Sequence, residues 1–150
     1  KLLKSLANQC VAFVNRKSGQ AFSIDKASLT PGARTVQWPD PERNPNSQWI
    51  CFITSEGFVR LKNKHSQLWL GTQRLNGIPN VGMQKVDGDN DTLWTLRIVS
   101  PGCVLIVHAQ SGEALRPWDG TTNAGWGVHL YPPLDLKDPS FHWKIVPFNH

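Results

Sequence analysis

The chain has 150 residues, a formal net charge of +5, 39% hydrophobic and 18% charged residues. Those values describe one ordinary domain, neither a disordered chain nor a coiled coil. No apolar run is long enough to span a bilayer as a helix, and Lys1–Gln9 lacks a signal-peptide pattern. Because the chain opens on Lys1 rather than Met, a processed product or an excised piece is expected.

Twelve Gly and 11 Pro dilute helix formers throughout, which points to many turns and short strands. In chain order, three segments begin alike: Cys10-Val-Ala-Phe-Val-Asn-Arg-Lys-Ser-Gly19, Phe58-Val-Arg-Leu-Lys-Asn-Lys-His-Ser-Gln67 and Cys103-Val-Leu-Ile-Val-His-Ala-Gln-Ser-Gly112. Each reads as an aliphatic strand running into a polar turn. A second strand follows in each, at Ala21–Ile24, Leu68–Leu70 and Ala114–Leu115. A third comes after a loop, at Thr35–Trp38, Val81–Met83 and Val128–Tyr131. A fourth, led by tryptophan, closes each unit at Gln48–Ile53, Leu93–Ile98 and His142–Val146. Trp49, Trp94 and Trp143 recur at intervals of 45 and 49 residues. No stretch of helical length keeps a 3.6-residue apolar period. The sequence therefore predicts an all-β chain of twelve short strands in three repeats, at about 10–55, 56–101 and 102–148. A four-strand unit cannot cover its own apolar face, so the three must share one core. An aromatic residue recurring in each unit belongs to that core, with its indole N–H on a backbone carbonyl.

This arrangement resembles the ricin-type β-trefoil lectins over about Gln9–Phe148, with the best local matches at Phe13–Gly19 and Val128–Tyr131. The Gln-x-Trp motif of that family is degraded: Ser47-Gln48, Thr92-Leu93 and Phe141-His142 precede the three tryptophans. The resemblance implies a β-trefoil that binds carbohydrate without chemistry of its own. Each unit would offer a shallow pocket made by an Asp after the second strand, an aromatic ending the third, and an Asn near the tryptophan. A ring plate buries the apolar face of a sugar while polar groups fix its hydroxyls. In the first unit the matching positions are Trp38 and Asn46, with Ser23 in the Asp place, Asp25 two residues on, and Gln48 one residue from the motif's Gln. In the third unit Tyr131 holds the aromatic position and Arg116 the Asp place. Asp119 could replace the missing acid there, with Trp118 or Trp126 as a second plate, while Ser140 stands for the Asn. In the second unit Met83 is expected at the aromatic position, with only Gln73 and Arg74 after the second strand.

Other chemistry is poorly supported. Asp87–Asp91 has the spacing of a calcium loop but lacks its Gly and Glu, and the histidines show no metal spacing. Asn90-Asp-Thr92 is a glycosylation sequon. There is no HExxH, GxSxG, P-loop or dinucleotide fingerprint, so neither an enzyme nor a cofactor is expected. Cys10, Cys51 and Cys103 form no CxxC pair and fit either one disulfide with a free thiol or three buried thiols. A secreted or extracellular location follows from the lectin resemblance, although the odd cysteine also allows the cytoplasm. Expected partners are glycans or glycoproteins on cell surfaces, and other domains or subunits of a larger toxin or enzyme. Two rival readings stand beside this one. The stiff loop Pro39-Asp-Pro-Glu-Arg-Asn-Pro45 would suit a protein-interaction module such as a protease inhibitor. Residues 1–85, with 12 Lys/Arg against 4 Asp/Glu, would suit an acidic polymer, although nucleic acid is not favoured.

Overall fold

Twelve strands run through the chain: β1 (Cys10–Asn15), β2 (Ala21–Ile24), β3 (Thr35–Trp38), β4 (Trp49–Ile53), β5 (Val59–Asn63), β6 (Trp69–Leu75), β7 (Ile78–Lys85), β8 (Trp94–Ser100), β9 (Cys103–His108), β10 (Ala114–Pro117), β11 (Val128–Tyr131) and β12 (Trp143–Phe148). A computed structural model describes residues 2–75 and 78–148, and gives only the backbone for residue 83 and within 74–81. Six strands close on themselves through antiparallel pairs. Around the ring β1 pairs with β12, β12 with β9, β9 with β8, β8 with β5, β5 with β4, and β4 with β1. Closure removes the exposed edges that an open sheet would present. The remaining strands form three hairpins, β2–β3, β6–β7 and β10–β11. This is the β-trefoil that the repeats predict.

The same side-chain contact holds each hairpin to the ring. Trp49, Trp94 and Trp143 each open the last strand of a unit and are fully buried. Their indole N–H groups donate to the carbonyls of Phe22, Leu70 and Leu115 at 2.9, 2.9 and 3.0 Å. The carbonyls lie at equivalent places in the first strand of each hairpin. Phe22 stacks on Trp49 at 5.1 Å and meets the edge of Trp143 at 5.8 Å, so the rings of different units share one interior. Val11, Phe13, Leu61, Leu70, Ile106 and Leu115 belong to that same cluster.

A second triplet ties each unit to its neighbour. Asn15, Asn63 and His108 end the first strand of each unit and are buried. Asn15 donates to the carbonyl of Ser140, Asn63 to that of Asn46, and His108 Nε2 to that of Asp91, each at 2.9 Å. The Asn15 and Asn63 carbonyl oxygens also accept two backbone N–H groups in the turns that follow. Those turns need a left-handed residue. Gly19 and Gly112 supply it at φ +72° and +74°, and Gln67 takes it at +63° in the second unit.

The structure departs from the sequence reading in two places. Leu2–Leu6 forms a short helix that packs beside the ring, with Leu6 in the core. The second hairpin is longer than its counterparts, because β6 and β7 extend beyond the apolar residues that mark them in sequence. All three cysteines are free, buried thiols. Burial, with Cys10 close by, pushes the Cys51 thiol up to about 12, so it stays protonated at neutral pH.

Because the three indoles do equivalent work, Trp49→Phe, Trp94→Phe and Trp143→Phe should each lose about 1–3 kcal/mol from the unpaired carbonyl and the smaller ring. Urea denaturation measures the three losses; a negligible loss at any one of them would contradict the equivalence.

Candidate functional site

The hairpin registers decide which residues occupy equivalent pockets. Trp38 lies opposite Ala21, Lys85 opposite Trp69, and Tyr131 opposite Ala114. The aromatic place of the second unit is therefore held by Lys85, whereas Met83 pairs with Gly71. Sequence spacing misplaces it because the longer β6–β7 hairpin adds residues that no local signal marks. By the same registers, Ser23, Gly71 and Arg116 occupy the acid position. Asn46, Asp91 and Ser140 occupy the amide position, each accepting the clamp from the next unit.

The second pocket is filled by its own ion pair. Lys85 Nζ lies 3.1 Å from Asp91 and 3.3 Å from Asp89. Asp91 also accepts the backbone N–H and hydroxyl of Thr72 at 2.9 and 2.6 Å. A Cβ at Gly71 would stand 2.3 Å from Lys85 Cδ and 2.8 Å from Asp91 Oδ2, so glycine is what lets this pair close. Burial pushes the Asp91 carboxyl up, but the Thr72 hydrogen bonds and the Lys85 ammonium outweigh it and hold the group below its ordinary value. Asp91 is thus a structural counter-ion to Lys85, which Asp89 also contacts; no group of metal-ligating side chains occurs among the described residues.

The third pocket is closed by a different cation. The Arg116 guanidinium lies over the Tyr131 ring at 4.2 Å and over Phe141 at 5.1 Å. It also pairs with Asp138 at 3.5 Å. Burial raises the Asp138 carboxyl, while hydrogen bonds from Ser140, with Arg116 and Lys17 nearby, bring it below the ordinary range. One face of the Tyr131 ring is thus covered by a guanidinium.

Only the first pocket keeps an open plate. Trp38 is 46% exposed and its ring leans on Gly125, where a Cβ would lie 3.6 Å from the indole. Gly125 has φ +81°, so a side chain there would be strained as well as in contact with the plate. The Pro39–Pro45 segment, which follows Trp38 in the chain, is folded as consecutive short turns and tied by the Asn44 amide to the carbonyls of Pro39 and Asp40. The polar residues expected beside Trp38 are placed differently. Ser23 is buried and shares a 2.5 Å hydrogen bond with Ser47. Asn46 is buried and donates to the Ile24 carbonyl at 3.1 Å. Gln48 is buried and donates to the Pro41 carbonyl while its oxygen accepts from Lys64. Asn46 and Gln48 therefore support the loop behind the pocket. Asp25 follows Ile24, at the far end of the β2–β3 ladder from Trp38, and pairs with Arg34 at 3.3 Å.

Trp118 and Trp126 meet elsewhere. They line a hollow of about 270 Å³ with Arg34, Gly127 and His129. The two indoles are 37% and 47% exposed. Trp118 is 5.0 Å from the His129 ring. Asp119, in left-handed backbone at φ +50°, has no ion pair among the described residues; its N–H donates to the Tyr131 hydroxyl at 3.3 Å. Arg34 and His129 carried no sequence signal as site residues. Arg34 meets the tryptophans only because the 119–127 loop of the third unit folds onto the first, where Val36 bridges Gly127.

A closed six-strand ring carrying three hairpins defines a β-trefoil. Residues 2–80 match the family model described as ricin-type beta-trefoil lectin domain-like, and the chain belongs to that family. Solved structures agree on the fold. The designed threefold-symmetric protein ThreeFoil superposes with a TM-score of 0.85 at 24% identity, over 93% of this chain and 99% of that one. The ricin B-like lectin of Macrolepiota procera in complex with lactose gives 0.77 at 16% identity, over 93% and 96% of the two chains. A mosquitocidal holotoxin gives 0.82 at 19% identity, over 95% of this chain but 17% of its own. Among curated sequences, the aspartate carbamoyltransferase catalytic subunit of Lawsonia intracellularis (strain PHE/MN1-00) is 36% identical over 67 residues, 42% of this chain; the match spans 21% of that protein.

The Asp91 network has a defined pH response. A carboxyl held below its unfolded value of about 3.9 stabilises the fold fully above that pH, and the contribution disappears as pH falls through the lower folded value. Asp91→Asn should lose about 1–3 kcal/mol near neutral pH. It should also lose less further stability than the wild type between about pH 5 and pH 2. Chemical denaturation across that range tests both, and parallel curves would disprove the role of the charge.

Proposed function

We propose that the chain is a non-catalytic carbohydrate-binding module that takes the apolar face of a neutral sugar on Trp38. Membership of the ricin-type lectin-like family supports the binding class. The observation that carries the location is the difference among equivalent plates: Lys85 is not aromatic, Tyr131 is covered by Arg116, and Trp38 stands open. The lactose-bound state of the Macrolepiota procera lectin makes a galactoside a reasonable first probe.

The sugar's hydroxyls would be met by the loops beside Trp38, since Ser23, Asn46 and Gln48 spend their polar atoms internally. Gly125 lies against the Trp38 ring, and the Pro39–Pro45 segment follows Trp38 in the chain. A shallow plate with few directed hydrogen bonds gives weak binding, with a Kd on the order of 0.1–1 mM per site. Working affinity at a glycan-coated surface would come from attachment to further domains or from several copies. Likeness to a small part of a mosquitocidal holotoxin supports the reading of a recognition piece within a larger toxin or enzyme, acting outside the producing cell.

Glycan-array screening followed by calorimetric titration of lactose tests the reading. Trp38→Ala should weaken neutral-sugar binding at least tenfold without lowering the melting temperature. Undiminished binding in that variant would remove Trp38 from the site, and silence across neutral glycans would refute this reading.

A further inference from the structure

We infer that the hollow between Trp118 and Trp126 is a second ligand site, distinct from the three hairpin pockets, that takes a sugar ring bearing a carboxylate. It is built from two repeats: Arg34 and Asp25 come from the first, and Trp118, Trp126 and His129 from the third. The inference rests on the carbohydrate-binding reading above but not on Trp38.

Two large indoles are held partly in solvent by a loop that is pinned along most of its length. Gln37 N–H donates to the Trp126 carbonyl at 3.1 Å, and Gly125 N–H donates to the Gln37 carbonyl at 2.8 Å. The Gln37 side-chain amide donates to the carbonyls of Thr121 and Asn123, both at 2.9 Å. Lys17 Nζ donates to the Gly120 carbonyl at 2.7 Å, and Gln20 to that of Thr122 at 2.6 Å. Across the loop, Trp118 N–H donates to the Gly127 carbonyl at 2.9 Å. The loop is therefore ordered before any ligand arrives, and a ligand need not meet that ordering cost. Exposed aromatic plates on a rigid loop are the means by which a protein buries the apolar face of a pyranose.

The charged partner is equally prepared. The Arg34 side chain is 51% exposed and lines the hollow. Among the described residues its one ion pair is with Asp25, through Nε, so the terminal nitrogens of the guanidinium form a fork for an incoming carboxylate. Gly127 keeps the floor clear: a Cβ there would lie 2.7 Å from His129 Nε2 and 3.4 Å from Arg34. The volume of about 270 Å³ suits one ring rather than an extended polymer chain.

The test uses the whole chain with three probes: sialyllactose, trigalacturonate and lactose, followed by calorimetry and tryptophan fluorescence. At least one acidic probe should bind, and which one distinguishes a sialic acid from a uronic acid source. Arg34→Gln and Trp126→Ala should each weaken that binding tenfold or more while leaving lactose affinity and melting temperature unchanged. Trp38→Ala should do the reverse. If lactose binds and neither acidic probe does, the inference fails while the Trp38 reading survives. Acidic binding that is insensitive to Arg34→Gln, or lost only with Trp38→Ala, also overturns it. If no probe binds, both readings fall.

Discussion

The fold depends on one interaction made three times: a buried indole donating to a hairpin carbonyl while its ring packs against the other units. A single copy would hold one hairpin to one strand and leave most of the ring's surface uncovered. Three copies around a common interior bury one another, and the closed ring of β1, β4, β5, β8, β9 and β12 leaves no edge open. The Asn15, Asn63 and His108 clamps then tie neighbours together, because each reaches a carbonyl just before the tryptophan strand of the preceding unit around the ring. The outer surfaces of the hairpins are freed from carrying stability, which is where side chains differ between units.

Those differences have a physical logic. In two of the units the aromatic or the acid position holds a cation paired with a charge of opposite sign. Lys85 with Asp91 does this in the second unit, and Arg116 with Asp138 in the third. Both pairs are partly buried and reinforced by hydroxyls, so they hold their place better than an exposed surface pair would. In the first unit Ser23 instead closes on Ser47. The open aromatic surface is consequently concentrated on one side of the molecule, at Trp38, Trp118 and Trp126, where the first and third units meet.

Much of the architecture was legible before any coordinates. The tryptophan period, the aliphatic strands and the Ser-Gly turns each report local requirements that sequence must meet: burial, alternation and a left-handed turn residue. The aromatic place of the second unit was not legible, because the register of β6 and β7 is set by a hairpin longer than its counterparts rather than by an apolar pattern. The short helix at Leu2–Leu6 escaped for a related reason: five residues are too few to show a period.

The candidate site divides along the same line. Trp38 stood out in the sequence because it ends a strand within a repeat, but its openness belongs to the fold, since Tyr131 at the equivalent place is covered by Arg116. Asn46 and Gln48 matched a pattern of residue types, but only the folded chain shows their amides committed to the carbonyls of Ile24 and Pro41. The repeats by themselves determined three units, their strands and their shared core, since those are properties of neighbouring residues. The meeting of Arg34 with Trp118 and Trp126, more than eighty positions away, was decided by tertiary structure alone, because closing the trefoil is what brings the first unit against the third.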